Sequence, residues 1–328
     1  MITYVLGNFF ASPARTLVNT VNTSGVMGKG IAKVFRNAYP EMFAAYKTVC
    51  DRRSFGIGDL LLYPTPHKAI LNFPTKTDWR RPSRVEYVEA GLGTFATSYA
   101  AYGLTSVAFP QLGCGNGGLD WERQVRPLME SVLSDLPIDI YIHVYDDQDH
   151  LPSGWDEAYL ERWLQSPVVP MTGDEVWQEL FRSAAARAQE SEPGSSVLVL
   201  AWREQEAEAL LIQSGQDALI WTRDDFAEWW SSSVGDRGIA TMRHLEGVFD
   251  GYGEFIMTLL ARLPEARRVR SAESCGIAAP IGWESGIQLL PRLAETPPTL
   301  VPVSGLESDA GAHLTQSHLP LSTPSHAA

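Results

Sequence analysis

One lysine in a polar stretch is the residue of this sequence best suited to covalent chemistry. Lys76 lies in NFPTKTDWRRPS, from Asn72 to Ser83, and is the last of five lysines in a chain of 328 residues. All later basic residues are arginines, and a guanidinium cannot lose its proton and attack carbon as an amine can. Lys76 is therefore a candidate nucleophile, and the alternative is a solvated loop lysine.

Four loops that follow predicted strands carry small and polar residues. They are Leu6–Ser12, Asn19–Lys33, Phe73–Trp79 and Phe109–Trp121. The second and fourth are rich in glycine, which lets backbone N–H groups approach a ligand closely, and both lead into predicted helices with positive N-terminal partial charge. Two such loops on one sheet edge can hold a diphosphate between them, although each loop alone could be a structural turn.

Neither glycine-rich loop matches a familiar nucleotide-binding fingerprint. The run GVMGKG from Gly25 to Gly30 is followed by Ile31, whereas a P-loop has Ser or Thr after its lysine. The run GCGNGG fits GxGxxG only if Gly118 is the third glycine, and it lies far from the first strand. We therefore expect a diphosphate that is held in another way.

The elements that must position these loops alternate between strand-like and helix-like segments. Strands are predicted at Ile2–Leu6, Thr16–Val21, Leu60–Tyr63, Ala69–Phe73, Ser106–Phe109 and Ile138–Tyr145. Helices are predicted at Lys29–Cys50, Arg84–Tyr102 and Trp121–Asp135, with Ser83 and Glu86 as a capping box. This alternation predicts an α/β fold in three layers, with a mixed sheet between helices and ligands at the carboxyl ends of the strands.

The second half of the chain has a different pattern, from which we predict a division into four parts. Residues 1–155 form the first domain, 156–172 a linker, 173–296 a smaller acidic α/β domain, and 297–328 a disordered tail rich in Pro, Ser and Thr. The predicted elements of the second domain are a helix to about Ala188, strands Ser196–Trp202 and Ala218–Thr222, and helices near Gln205–Gln213, Asp224–Trp230 and His244–Leu263.

Composition limits the class of protein. Residues 1–150 carry equal numbers of acidic and basic residues, so the net charge of −13 falls on residues 151–328. An acidic half attracts a basic partner, although acidity also serves solubility. The three cysteines are far apart and form no metal or disulfide motif, and no signal peptide or membrane span is evident. We expect a cytoplasmic protein with no membrane association, no metal and no cofactor.

Several long motifs in one order resemble a known family. The pair Asn19 and Asn22, then GVMGKGIA, then GCGNGGLDW resembles the macrodomains, which bind ADP-ribose. VNTVNTSGVMGKGIAKVF, NFPTK.DWR and PQLGCGNGGLDW are most similar to the DarG antitoxins of DarTG systems, over residues 1 to about 155. In this family the DarT toxin attaches ADP-ribose from NAD to a base, usually thymine, in single-stranded DNA. The DarG macrodomain hydrolyses that N-glycosidic bond, and its C-terminal region binds the toxin.

The resemblance implies roles for residues of this sequence. Lys76 matches the catalytic lysine, either as a nucleophile at the anomeric carbon or as a cation that stabilises the leaving base. The ADP-ribose site would comprise Asn8, Phe9, Thr20, Val21, Asn22, Met27, Gly28, Gly30, Ile31, Thr75, Gly113, Cys114, Gly115, Asn116 and Gly117. Related hydrolases have an Asp after GCG, whereas this chain has Asn116. Asp120 is predicted to cap the next helix, so the general acid is not assigned.

Other residues have two readings each. Trp79, Arg80 and Arg81 suit stacking on a base and contact with DNA phosphates, or a solvated helix lead-in. His143 is expected to be buried in a strand, and Cys114 to be a small residue in a tight turn. Tryptophans and acidic residues of the second half suit a basic toxin or ordinary core packing. The alternative functions are a non-catalytic ADP-ribose reader or toxin inhibitor, and a hydrolase of free ADP-ribose derivatives.

Overall fold

A mixed sheet of nine strands lies at the centre of the protein, in a computed structural model that describes residues 2–145, 156–166, 168–169, 171–187, 197–205, 207–214, 217–235, 238–246, 251–273, 281–290 and 292–293. The first half of the chain supplies six of its strands, and all six predicted strands are confirmed with small shifts of their ends. They are β1 (Ile2–Leu6), β2 (Thr16–Asn22), β3 (Leu61–Tyr63), β4 (Ala69–Lys76), β5 (Ser106–Pro110) and β6 (Asp139–His143).

Five of these strands run parallel and therefore end at one edge of the sheet. Their order is β1-β6-β5-β2-β4, and β3 pairs with β4 in the antiparallel sense. The pairing of β2 with β4 shifts at its carboxyl end, where Val21 lies opposite Pro74 and Asn22 opposite Lys76. This irregularity passes over Thr75, so the loops after β2 and β4 start side by side.

Helices cover both faces of the sheet, as the alternation predicted. They are α1 (Gly30–Ala38), α2 (Pro40–Asp51), α3 (Val85–Ser98) and α4 (Arg126–Leu133), and a π-helical turn at Trp121–Val125 precedes α4. The prediction of one helix from Lys29 to Cys50 was wrong. Pro40 has no N–H to continue a helix, so α1 ends at Ala38 and α2 begins with this proline in its first turn.

Alternate residues of the strands point to opposite faces of the sheet and pack into two separate hydrophobic cores. Leu17 packs with Phe35 of α1 and Tyr46 of α2 on one face, whereas Val18 packs with Leu92 of α3 on the other. A Cβ at Gly91 of α3 would lie 2.3 Å from the Phe73 ring, so α3 approaches β4 as closely as glycine permits. This contact fixes the position of β4, the strand that carries Lys76, relative to α3.

Residues of the second half extend the same sheet. β12 (Ala266–Glu273) pairs antiparallel with β1, and β13 (Glu284–Leu289) and β11 (Ile239–Thr241) follow it outward. The predicted linker 156–172 contains helix α5 (Glu157–Gln165), whose Trp163 is buried in the same core as Phe35. The sheet thus crosses the predicted division between domains, whose boundaries stay a prediction.

A separate antiparallel sheet and its helices occupy the rest of the described second half. Its strands are β8 (Val197–Glu204), β9 (Ala207–Ser214) and β10 (Asp217–Thr222), and a two-stranded ladder joins β7 (Val168–Val169) to β14 (Arg292–Leu293). The helices are α6 (Gly173–Arg187), α7 (Arg223–Trp229), α8 (Met242–Glu246) and α9 (Gly253–Leu260), with a π-helical turn at Trp230–Val234. They enclose a core that contains Trp177, Trp221 and Trp229.

Three predictions for this half were wrong or lie outside the described residues. Gln205–Gln213 is not a helix, because β9 pairs with β8 along its whole length and with β10 from Ala209 to Ser214. The single helix at His244–Leu263 is not continuous in the described ranges, where α8 ends at Glu246 and α9 begins at Gly253. The tail 297–328 lies outside the described residues. No helix within the described part of the chain has the length and hydrophobicity that a membrane span requires.

Candidate functional site

The loop after β2 is shaped by the side chain of Asn22. Its Oδ1 accepts hydrogen bonds from the Ser24 N–H at 3.1 Å and from the Val26 N–H at 3.2 Å, and its Nδ2 donates to the Val26 carbonyl at 2.6 Å. The Tyr46 hydroxyl, buried beneath, donates to the Asn22 carbonyl at 2.5 Å. Asn22 thus folds the backbone of the predicted cradle, while its contact with a ribose stays a prediction.

Tyr46 is a site-supporting residue that sequence reasoning missed. It lies in α2, is fully buried, and is 24 residues from the asparagine that it holds. Burial raises the pKa of Tyr46, so its hydroxyl stays protonated and remains a donor. No local pattern connects the two residues, and only the packing of α2 against β2 brings them together.

The two glycine-rich loops face each other across a narrow gap. A Cβ at Gly30 would lie 3.2 Å from Nδ2 of Asn116, and Gly30 also has a φ of +56°, a conformation that favours glycine. Helix α1 begins at Gly30, and the side chain of its N-cap residue Lys29 makes no capping hydrogen bond. The first turn of α1 therefore lies beside the gap with no cap from the Lys29 side chain on its N–H groups, which suits a diphosphate site.

The loop after β5 is a closed turn that admits only glycine at its base. A Cβ at Gly117 would lie 2.0 Å from the Gly113 carbonyl oxygen, and Gly113 has a φ of +72°. The Leu119 N–H donates to that same carbonyl at 3.1 Å. Gly113 and Gly117 are buried at the base, whereas Gly115 and Asn116 form an exposed tip.

Ser83 supports this turn and does not cap helix α3. Its N–H donates to the Gly117 carbonyl at 2.9 Å, and its Oγ would lie 2.3 Å from a Cβ at Gly117. The predicted capping box with Glu86 was wrong, because α3 begins at Val85 with Arg84 as its N-cap residue and no side-chain cap. Ser83 is instead drawn beneath the glycine loop, a role that no local motif could indicate.

Lys76 connects the ends of β4 and β5. It is the last residue of β4, and its Nζ donates to the Asn116 carbonyl at 2.5 Å. Partial burial lowers the pKa of Lys76, which increases the fraction of neutral amine at a given pH. The Thr23 N–H binds the Lys76 carbonyl at 3.0 Å, so the backbone that carries this amine is tied to the loop after β2.

Two other groups near the turn are poorly placed for chemistry. Burial raises the pKa of the Cys114 thiol to about 12, so it is not a thiolate near neutral pH. The Asp120 carboxylate accepts a hydrogen bond from the Arg123 N–H at 2.9 Å and caps the π-helical turn, as the sequence predicted. The described residues contain no group of three or more His, Cys, Asp or Glu arranged to hold a metal ion.

Exposed aromatic and basic residues follow Lys76 directly. Trp79 is 49% exposed, and the Arg80 guanidinium lies 4.9 Å from the centre of its ring. Asp78 shapes this segment by accepting from the Arg80 N–H at 2.9 Å. Trp79, Arg80 and Arg81 therefore form an open platform next to the lysine, of the kind on which bases stack.

The loop after β1 lies on the other side of α1. Asn8 caps a short 3-10 helix (Phe9–Ala11) by accepting from the Phe10 N–H at 3.0 Å. Phe9 is buried and meets Phe35 of α1 edge to face at 6.3 Å. His143 beneath it is buried as predicted, and burial lowers its pKa to about 4.

The remaining predicted contacts fall on the same two strand ends. Val21 and Thr75 are buried at the ends of β2 and β4, and Thr20 and Ile31 are partly exposed. Met27 is buried with Asn19 against its sulfur at 3.8 Å, and Gly28 is exposed. The structure thus brings Lys76, Gly30 and Asn116 to one gap, and no described contact links Asn8 or Phe9 to that gap directly.

Comparisons with known proteins find one family match and several relatives. Residues 18–128 match the family described as Macro domain. A Mycobacterium tuberculosis protein named DNA ADP-ribosyl glycohydrolase is 44% identical over 162 residues, which cover 48% of this chain and 44% of that protein. A solved structure, the macrodomain of Mycobacterium tuberculosis DarG, is 44% identical, with a TM-score of 0.43, and covers 44% of this chain and 99% of that one.

A relative from Thermosipho africanus combines two activities in its name. It is called a DNA ADP-ribosyl transferase-DNA ADP-ribosyl glycohydrolase fusion protein and is 33% identical over 162 residues, covering 44% of this chain and 42% of the fusion. The chain therefore spans less than half the length of these curated relatives, and the similarity covers its first half.

Proposed function

We propose that this chain, whose residues 18–128 match the Macro domain family and which is similar to proteins named DNA ADP-ribosyl glycohydrolase, removes ADP-ribose from DNA. The reaction is hydrolysis of the N-glycosidic bond between the ribose and a base of single-stranded DNA, with thymine as the expected base. In this role the protein is an antitoxin that reverses the action of a DarT-like transferase. Similarity to proteins named glycohydrolases supports the reaction class.

The position of the Lys76 amine is the observation that carries this proposal. Nζ lies in the gap between the glycine-rich loops, and partial burial lowers its pKa, which favours the neutral amine over the charged form relative to an ordinary lysine. The nitrogen would form a bond to the anomeric carbon as the bond to the base breaks, and the proton that the nitrogen loses would pass through water to the departing base. A water molecule would then attack the same carbon and break the carbon–nitrogen bond, leaving its hydroxyl on the ribose and its proton on the nitrogen, which restores the amine.

Replacement of Lys76 separates an enzyme from a reader. We expect Lys76→Ala to bind ADP-ribose within a few-fold of the wild type, because backbone groups hold the diphosphate, and to release no ADP-ribose from a modified oligonucleotide. Lys47→Ala is the matched control, since Lys47 is an exposed lysine on α2 that pairs with Asp51. Unchanged release by Lys76→Ala would rule out the lysine mechanism. Absence of release by the wild type itself would instead support the reader alternative.

The platform beside Lys76 supports a single-stranded substrate. Trp79 offers a ring for base stacking, and the exposed guanidinium groups of Arg80 and Arg81 offer charge to phosphates. A free ADP-ribose derivative, the substrate of the second alternative, has no base or phosphate beyond its own adenine and diphosphate, which the proposal places at the other loops. DNA is therefore the better fit to this edge.

The second half of the chain supports a further role, which is binding of the toxin. Directly paired residues of β8, β9 and β10 present Leu200, Leu211 and Ile220 on the outer face of the three-stranded sheet, while Leu210 and Trp221 face the core. Trp202 and Ile220 are 49% and 64% exposed, and this face lines a cavity of about 790 Å³. We call this surface the outer sheet face.

Acidic residues border the outer sheet face. Arg203 and Arg223 are paired with Glu208 and Asp174, so their charges are balanced within the protein. The exposed Asp224 adds negative charge in the lining of the cavity, and the exposed Glu204 ends β8. An apolar face with an acidic rim complements a basic protein that binds nucleic acid, which is the expected chemistry of a DarT-like toxin.

Polar replacements on this face test the toxin-binding role. We expect Trp202→Ser with Ile220→Ser to raise the Kd for the DarT-like toxin at least about tenfold, because a buried aromatic anchor is lost. Release of ADP-ribose from DNA should be unchanged, and Glu228→Ala, on the exposed side of α7, is the control. A double variant that binds the toxin as tightly as the wild type would remove this face from the proposal.

A further inference from the structure

The segment between β1 and β2 is a loop buried in the core. Phe9 and Phe10 are 6% exposed, Ala11 is 2% exposed, and Ser12 and Ala14 are fully buried. Most loops run over the surface, where water satisfies their carbonyl groups. Carbonyls of a buried loop have no such access, so each requires a donor from elsewhere in the protein.

Side chains distant in sequence supply these donors. The Lys68 ammonium donates to the carbonyls of Ser12 and Ala14, both at 2.7 Å. The Gln288 amide donates to the carbonyl of Ala11 at 2.5 Å, across 277 residues of sequence. Lys68 is 6% exposed and Gln288 is 2% exposed, so neither is replaced by solvent without rearrangement.

Two further groups complete the enclosure of this loop. The Trp163 ring of α5 lies 5.5 Å from the Lys68 Nζ, and its indole covers the cation. A Cβ at Gly7 would lie 3.3 Å from a methyl group of Val269 in β12, so β12 packs tightly beneath the start of the loop. Trp163, Val269 and Gln288 all lie beyond the family match of residues 18–128.

We propose that Lys68 and Gln288 are positioning residues for ADP-ribose, which hold the loop after β1 in its binding shape through the carbonyls of Ala11, Ser12 and Ala14. The inference rests on the proposed function, since it takes Asn8 and Phe9 of this loop to belong to the ADP-ribose site. It assigns part of the nucleotide site to a strand of the second half, β13. Neither residue is catalytic, because each acts only through the loop.

A lost donor should weaken binding and leave the bond-breaking step intact. Without the Gln288 amide, the Ala11 carbonyl has no partner while it stays buried, so conformations that expose it to water gain population. The observed Kd equals the intrinsic Kd divided by the fraction of molecules that keep the binding shape, so affinity falls as this fraction falls. Lys76 ends β4 and the glycine-rich loops follow β2 and β5, so the rate of the bound complex should not change.

The experiment uses the full chain and compares binding with turnover. We expect Gln288→Leu to raise the Kd for ADP-ribose, measured by calorimetry, and the KM for a modified oligonucleotide by about tenfold, with kcat within about twofold of the wild type. Lys68→Met, which keeps the length of the side chain and removes the donor, should have the same effect. Ile287→Val is the control, because Ile287 neighbours Gln288 but packs in the core with Trp221.

A second readout distinguishes positioning from general stability. Binding energies are reciprocal, so ADP-ribose should slow hydrogen exchange of β13 amides in the wild type and do so less in Gln288→Leu. Equal Kd values for the wild type, Gln288→Leu and Lys68→Met would overturn the inference. A similar rise in Kd for Ile287→Val would also overturn it. If the wild type itself binds no ADP-ribose, the proposed function is wrong, and the positioning role is not what failed. If Gln288→Leu does not fold, the Kd of Lys68→Met tests the inference.

Discussion

Two lysines at opposite ends of β4 show how position decides the role of an amine. Lys68 directly precedes the strand, is 6% exposed and donates to two carbonyls of the loop after β1. Lys76 ends the strand, is partly exposed and donates to the Asn116 carbonyl between the glycine-rich loops. Both are surrounded by main-chain oxygens, and only Lys76 lies at the edge where parallel strands end.

The comparison separates a lowered pKa from catalytic competence. Burial lowers the pKa of Lys68 to about 7, and it lowers the pKa of Lys76 as well. Lys68 is nevertheless closed off by Trp163 and cannot meet a substrate. A nucleophile requires an available amine and access to the reacting carbon, so we assign chemistry to Lys76 and loop support to Lys68.

The largest effect that we expect from this difference between the two lysines is on the pH dependence of the protein's stability. The pKa of Lys68 is about 7 in the folded protein and 10.5 in an ordinary lysine, so the unfolded chain binds more protons between these pH values. Stability from this group is therefore lost as pH falls toward 7 and gained as pH rises. His143, the titratable neighbour, has a pKa of about 4 and stays neutral throughout.

Urea denaturation of the wild type and Lys68→Met between pH 7 and 10 measures this effect. We expect the free energy of unfolding of the wild type to rise relative to the variant, with a slope that approaches about 1.4 kcal/mol per pH unit. A difference that stays constant with pH would show that Lys68 titrates normally, and the contrast between the two lysines would then disappear.

A smaller effect is expected on the open side of Lys76. Trp79→Ala with Arg80→Ala should raise the KM for a modified oligonucleotide several-fold. It should also lower the slope of log KM against log salt concentration by about one, because one phosphate contact is lost. The Kd for free ADP-ribose should not change. Arg52→Ala, an exposed arginine after α2, is the control. An equal loss of affinity for free ADP-ribose would move these side chains from the DNA to the nucleotide.

Local patterns predicted the elements that carry the site. The strands of the first half have the β-branched and aromatic runs that identify them, and Lys76, Gly113 and Gly117 were recognisable from residue type and spacing. Pro40 was also a visible signal, yet the apolar pattern across it led to one helix in place of two. β9 was predicted as a helix because Glu, Ala and Leu favour helices, and pairing on both sides overrides that preference.

The supporting residues could not be predicted, for a common physical reason. Ser83, Tyr46 and Lys68 each satisfy or restrain a backbone group of a loop that is distant in sequence. Such donors are chosen by the three-dimensional packing, and their residue types are shared with ordinary surface positions. Gln288 is the extreme case, since its partner Ala11 lies near the other end of the described chain.

The central claim is that the Lys76 amine attacks the anomeric carbon, and Lys76→Arg tests it most directly. Arginine keeps the positive charge and a donor toward the Asn116 carbonyl, but it cannot act as a neutral nucleophile. In single-turnover release of ADP-ribose from a modified oligonucleotide, we expect no detectable product while ADP-ribose still binds. Release within about tenfold of the wild-type rate would contradict the claim and assign Lys76 the role of a cation that stabilises the leaving base.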